Sequence, residues 1–325
     1  MKRLFKGLTV CSLAAALAIS AAACGDVVKN GSKIQNLTVT LAYYEDGEQV
    51  TRDVNFELYL NFAPATIEHV KYLAENGYYD GTVVSNLSSY FEFGAYSSSD
   101  GSLVSKYEAT DAKGYKSIIS QSYVTGKNIG PSGSLARYVE SDGIYNIYGE
   151  FAENGIGGNK LALTGGALVL KRDYSDDTTK SYYNTGKATL AVTFTTGTYF
   201  DSASKFAIIG KIVSDDAENF SDEKSSYKFI SDLMNDYKSD DDGNTYYYYT
   251  YESDDEANAA AIAEYGRYFM KDDDGKYFYK DADGNYTSSL DEETDKDLIK
   301  ELKEKSVYLL NLPYSEITVK SVKVG

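Results

Sequence analysis

Few side chains in this chain could do covalent or metal chemistry. Its 325 residues include a single histidine, His69, and two cysteines, Cys11 and Cys24. One histidine excludes a histidine-built metal centre, and its expected place on a helix rather than in a pocket argues against a Ser-His-Asp triad. His69 itself falls on a predicted helix, as a surface or boundary residue. Three glycine turns are rich in aspartate: Asp240–Gly243, Asp272–Gly275 and Asp281–Gly284. An EF-hand loop needs acidic residues at its first and last positions around a central glycine. Lys238, Met270 and Tyr279 stand at the first position and Tyr249, Asp281 and Leu290 at the last, so none of the three is an EF-hand. Solvated turns are the expectation, with a looser calcium site as the alternative. Non-covalent chemistry remains. The segment Val83–Ala95 (VVSNLSSYFEFGA) brings Tyr90, Phe91 and Phe93 together, and the chain holds 32 tyrosines and no tryptophan. Amphipathic rings in such number suit a surface that binds peptides or sugars, or reflect strand preference alone.

The elements that would position these rings are legible. Val54, Phe56, Leu58 and Leu60 alternate with polar residues or Tyr, the period of a half-buried strand. Leu37–Tyr44 alternates in the same way, and Glu45-Asp46-Gly47-Glu48 between the two is a hairpin turn of the Asp-Gly kind. Pro64 sets a corner. Thr66 is placed to cap a helix with Glu68 in its first turn. Ile67, Val70, Leu73 and Ala74 share one helical face, and Gly77 is the expected stop. Residues 97–143, rich in Ser, Gly and Tyr, read as a long loop or a small inserted hairpin.

Further blocks follow in order: Ile147-Tyr148-Gly149-Glu150-Phe151, Asn154-Gly155, Leu161, Gly166–Leu170, Thr189–Phe194, Tyr199-Phe200-Asp201, Phe206–Val213 and Pro313–Val324. Strand, Ala-Pro-x-Thr corner, helix and Gly-Tyr-Tyr-Asp-Gly turn, followed by these blocks, resemble a cyclophilin-type peptidyl-prolyl cis-trans isomerase over about 37–213 and 313–324. The resemblance implies a mainly β fold, a closed antiparallel β-barrel capped by helices. It implies prolyl isomerisation without a cofactor, acting on Pro-containing peptide segments. The X-Pro bond turns slowly because its C–N bond is partly double, with a barrier of roughly 18–20 kcal/mol. Family members are understood to hold the Pro ring in an apolar pocket and aim an Arg guanidinium at the amide. With Gly94 setting the register, Tyr90 and Phe91 keep the apolar floor, Ser85 falls at the family's Arg and Phe93 at its Gln. Arg172 falls where the family carries Asn or Arg, Ala191 replaces a pocket Phe, Tyr199 and Phe200 stand at a Trp-Leu pair, and Phe206 at the pocket His. Ser does not replace a bidentate, permanently charged guanidinium. Lys171, Arg172 or Arg137 could reach in from elsewhere, or be solvated surface charges. Two readings therefore stand side by side: an isomerase, and a catalytically silent peptide-binding module or chaperone using the same groove. A third has the Tyr-rich insertion bind a glycan or partner, with the barrel as scaffold.

The remaining chain sets the surroundings. Residues 1–23 read as a signal peptide, and Ala21-Ala22-Ala23-Cys24 resembles a bacterial lipoprotein signal, which implies lipid attachment at Cys24 and a place in the cell envelope outside the cytoplasm. Residues 24–36 then form a tether, 37–213 with 313–325 the barrel, and 214–312 an acidic, Tyr-rich α+β insertion before the last strand. Ile230, Leu233, Met234 and Tyr237 mark one helix of the insertion, Leu298, Ile299 and Leu302 another, and 267–288 a small meander. Residues 1–23 hold three of the 32 basic and none of the 49 acidic residues, so the remainder carries a net charge of −20, which repels nucleic acid.

Overall fold

The computed structural model describes residues 34–60, 62–88, 90–99, 102–106, 138–141, 144–148, 150, 163–171, 185–186, 188–194, 207–213, 225–250, 268–280, 285–290, 296, 300 and 308–325. The segments read as signal peptide and lipid attachment at Cys24, and the positions Arg172, Tyr199, Phe200 and Phe206, lie outside these residues. Among the described residues no helix is long and apolar enough to cross a membrane.

The first hairpin forms as its alternation requires. Strand β1 (Ile34–Glu45) pairs antiparallel with β2 (Glu48–Tyr59), Val39 opposite Val54 and Leu37 opposite Phe56. Asp46 and Gly47 both take positive φ, 51° and 81°, the two-residue turn that matches strand twist. Helix α1 (Pro64–Glu75) starts with proline inside its first turn and ends in a Schellman motif. There Tyr78 N–H donates to Leu73 O and Gly77 N–H to Ala74 O, with Gly77 at φ 69°. Thr66 does not cap this helix. The chain turns in at Ala63, so Thr66 lies inside the first turn and Glu68 beyond it. His69 is fully buried rather than at the surface, because it shares the inward arc with Ala65, Ile67 and Val70.

The chain continues through β3 (Thr82–Asn86), β4 (Tyr90–Ser99), β5 (Ser102–Ser105), β6 (Tyr138–Ser141), β7 (Ile144–Tyr148), β8 (Ala167–Leu170), β9 (Thr185–Gly186), β10 (Leu190–Thr193) and β11 (Ala207–Ile212). Helix α2 (Ser226–Asp236) follows, then β12 (Thr245–Thr250), β13 (Tyr268–Lys271), β14 (Tyr277–Lys280), β15 (Tyr286–Leu290), β16 (Tyr308–Leu312) and β17 (Thr318–Val324). The sheet order β10-β8-β11-β2-β1-β17-β3-β4 closes on itself where β10 pairs with β4. The protein is thus mainly β, with a closed eight-stranded antiparallel barrel and two helices among the described residues, which agrees with the expected fold class of a closed antiparallel barrel with helices. Strand β5 extends β4 as a hairpin, and β6-β7-β9 form a small separate sheet.

Inward residues of alternating strands fill the barrel: Leu37, Val39, Leu41, Phe56, Leu58, Phe91, Phe93, Leu168, Leu170, Leu190 and Val192 are all essentially buried. Both helices add to this core, α1 through Ile67, Val70 and Leu73, and α2 through Phe229, Ile230 and Leu233. The second sheet, β15-β14-β13-β12-β16, is the α+β insertion's strand layer, and the meander expected near 267–288 is its β13–β15 portion. It docks on the barrel rather than hanging from it. Leu87 N–H donates to Asn311 O at 2.8 Å, and the hydroxyls of Tyr248 and Tyr268 bond the backbone of Leu103.

Candidate peptide-binding face

The strand period decides which rings can meet a ligand. Along β4, Phe91 and Phe93 belong to the barrel interior, while Tyr90 and Glu92 point outward. The outer set continues across the sheet. Ala191 on β10 stands opposite Glu92 on one side and Val169 of β8 on the other, and Val169 stands opposite Ile208 of β11. Tyr59, Ala167, Val169, Ala191 and Ile208 form a second apolar cluster outside the barrel, with Phe62, Tyr90 and Leu163 as its partly buried members. Tyr90 and Ala191, named from the sequence, are brought together here. Phe91 and Phe93 are not. Aligning on Gly94 assigned them to the groove, but their side chains fill the core at 1 % exposure.

Gly94 earns its place by geometry. It takes φ 94°, and a Cβ there would lie 2.9 Å from both Ala188 O and the Tyr79 ring. It sits in a bulge, since Val83 faces Tyr96 whereas Val84 already faces Phe93. A second irregularity lies just beyond. Val84 faces Phe93 and Asn86 faces Glu92, leaving Ser85 as an extra residue with no opposite number. Ser85 is fully buried and its hydroxyl has no hydrogen-bond partner among the described residues. The position aligned with a catalytic guanidinium therefore presents no donor to the outer face.

A charge pair sits on that face instead. Lys171, just past the end of β8 with its N–H bonded to Thr189 O of the next strand's approach, reaches Glu92 on β4. Its Nζ lies 2.7 Å from Glu92 Oε2 and 5.3 Å from the centre of the Tyr90 ring. Asn86 Nδ2 donates to the same carboxylate oxygen at 3.5 Å. The Lys171 side chain is 17 % exposed and that of Glu92 3 %. Burial raises the Tyr90 hydroxyl above its ordinary pKa, Lys171 lowers it and Glu92 raises it again.

Glu150 organises the start of α1. Its Oε2 accepts the Thr66 N–H at 2.7 Å, doing from a distant segment what the sequence assigned to a local cap. Burial pushes its carboxyl up to about 7, against opposing hydrogen bonds from Thr66 and Ala65. Among the described residues no three His, Cys, Asp or Glu side chains converge as metal ligands. In the described aspartate turns, Asp240 Oδ1 accepts the N–H groups of Asp242 and Asn244, and Asp272 Oδ1 that of Lys276, so these carboxylates are engaged in closing their own turns.

The chain matches no protein-family model and no curated protein.

Alternation in Y-F-E-F was the available signal for Glu92: two Phe at one parity mark the inward face, so Tyr and Glu face out. Lys171 is one of three cations the sequence offers as able to reach in, but nothing singles it out or points to Glu92, because that partner lies on another strand.

Proposed function

We propose that the protein is an exported, lipid-anchored peptide-binding protein of cyclophilin-like type, which takes Pro-containing segments of exported proteins on the outer barrel face beside the half-buried ring of Tyr90, with Ala191 beneath it. One observation carries this reading. Outside the barrel interior lies a second apolar cluster whose central residues are themselves buried, so that what it offers a ligand is its rim, the half-buried rings of Tyr90 and Phe62. A half-buried aromatic rim beside a buried apolar cluster is where an apolar side chain such as Pro would pack. The closed eight-stranded antiparallel barrel is compatible with that fold. Attachment through Cys24 would hold it outside the cytoplasm at a membrane, and its negative charge argues against nucleic acid as partner. Isomerisation by this face is slow, since Ser85 is buried and Phe93 points inward.

The test is to measure cis-trans exchange of an X-Pro peptide with the full chain in mild detergent, alongside NMR titration. Shifts at Tyr90 and Ala191 with a rate close to buffer are expected. A rate well above buffer would restore the enzyme reading. Shifts confined to Tyr246–Tyr286 would move binding to the second sheet and overturn the proposal.

A further inference from the structure

The polar groups beside the apolar cluster form a connected series that begins in the second sheet. Asn311 of β16 is tied to the end of β3 through both backbone groups. Its carbonyl accepts Leu87 N–H at 2.8 Å, and its N–H donates to Asn86 Oδ1 at 3.4 Å. Ser88 N–H donates to the same Oδ1 at 3.1 Å. With its oxygen so engaged, the Asn86 amide must turn its NH2 the other way, toward Glu92. Asn86 is 3 % exposed and Glu92 2 %, so neither can reorient into water. Glu92 in turn holds the Lys171 ammonium against the Tyr90 ring. A buried carboxylate and a partly exposed cation at the margin of an apolar face make a polar landmark for an acceptor oxygen.

We propose that Lys171 is the ligand-contacting cation of this face, donating to a backbone carbonyl oxygen of the bound peptide, and that Glu92 and Asn86 are positioning residues through which the docking of the second sheet sets the place of Lys171. This rests on the peptide-binding reading above. It gives the second sheet a role beyond bulk, because its β16 strand fixes the amide at the start of the series.

The experiment compares the full chain in mild detergent with three variants, following binding of an X-Pro peptide by NMR and the 15N resonance of the Lys171 ammonium. In K171M/E92Q no buried charge is left unpaired. Its affinity should fall about tenfold or more, the worth of a hydrogen bond to a charged group. K171R should retain most of the binding. N86A should weaken binding less, and should move or broaden the Lys171 ammonium signal while the melting curve stays cooperative. A merely structural Asn86 would leave that signal in place. Wild-type protein that binds while K171M/E92Q binds equally well overturns the role of Lys171 and leaves the peptide-binding reading intact. Wild-type protein that does not bind overturns the reading and the ligand role together. An unmoved ammonium signal in N86A overturns the positioning claim on its own.

Discussion

The barrel and the second sheet are built from similar strands and held together differently. The barrel closes, so each of its eight strands has two neighbours, and its interior is mostly aliphatic with a few Phe. The second sheet is open, with β15 at one edge and β16 at the other. Among its described side chains Phe269, Tyr248 and Leu310 are well buried. Much of the rest is rings in contact with rings or lysines: Tyr248 with Tyr268, Tyr246 with Tyr286, and Lys280 over both Tyr268 and Tyr286. Closure removes exposed edges and concentrates burial. An open aromatic sheet gains its order from pairs worth less each. Substitutions in the barrel should therefore act globally, and those in the second sheet locally.

The strongest break in this contrast is at Gly210, where β11 pairs with β2. A Cβ there would lie 2.1 Å from Glu57 O, a backbone atom with nowhere to go. Gly210→Val should yield no cooperatively folded protein by circular dichroism and thermal melting. Next comes a matched pair of fully buried rings. Phe93→Ala should cost about 3–5 kcal/mol by urea unfolding and accelerate amide exchange in β1 and β2. Phe269→Ala should accelerate exchange in β12–β14 and leave β1 and β2 protected. Equal loss of protection in both regions would erase the distinction.

A smaller effect is linked to pH at Glu150. Its carboxyl is raised from 4.5 to about 7 in the folded protein, so folding favours the protonated form. The stability this gives is full below about 4.5, drains as pH rises and levels off above about 7. Glu150→Gln keeps an acceptor for Thr66 N–H and removes the charge. It should be close to wild type at pH 4.5 and more stable by about 1–3 kcal/mol at pH 8, read from urea midpoints. The smallest effect belongs to a turn of the second sheet. Asp240 accepts two backbone N–H groups and the Tyr246 hydroxyl, and Asp240→Ala should cost less than about 1 kcal/mol, visible as faster exchange at Asn244.

What the sequence made legible follows the range of the forces involved. The first hairpin, the helix over Pro64–Glu75 and its glycine stop depend on neighbours a few residues apart, and they form where alternation and turn chemistry place them. The barrel's closure was expected only through the resemblance that the order of its blocks carries, not from any block by itself. The helix around Ile230 was legible as a helix, but its burial with the barrel core was not, because its partners Tyr43 and Arg52 come from the first hairpin. At the candidate site, alignment on a glycine overrode the strand period and turned Phe91 and Phe93 to the wrong side. Bulges at Gly94 and Ser85 shift the register; a glycine inside a strand is a signal for the first, whereas Ser85 carries none. Glu92 with Lys171, and Glu150 with Thr66, join positions far apart in the chain, so only the fold reveals them.

The barrel's seam has a consequence for how the molecule is made. Strand β1 lies between β2 and β17, with Leu37 opposite Val324 and Gly325 N–H bonded to Asn36 O. A nascent chain emerges in order, so β1 can zip to β2 at once but waits for its other neighbour until almost everything between them has been synthesised. Until then β1 is an open edge, and pairing over so long a separation is slow. The protein must thus be delivered whole before it can shut, and a chaperone that shields β1 during that interval would raise the yield of folded protein without touching its final stability.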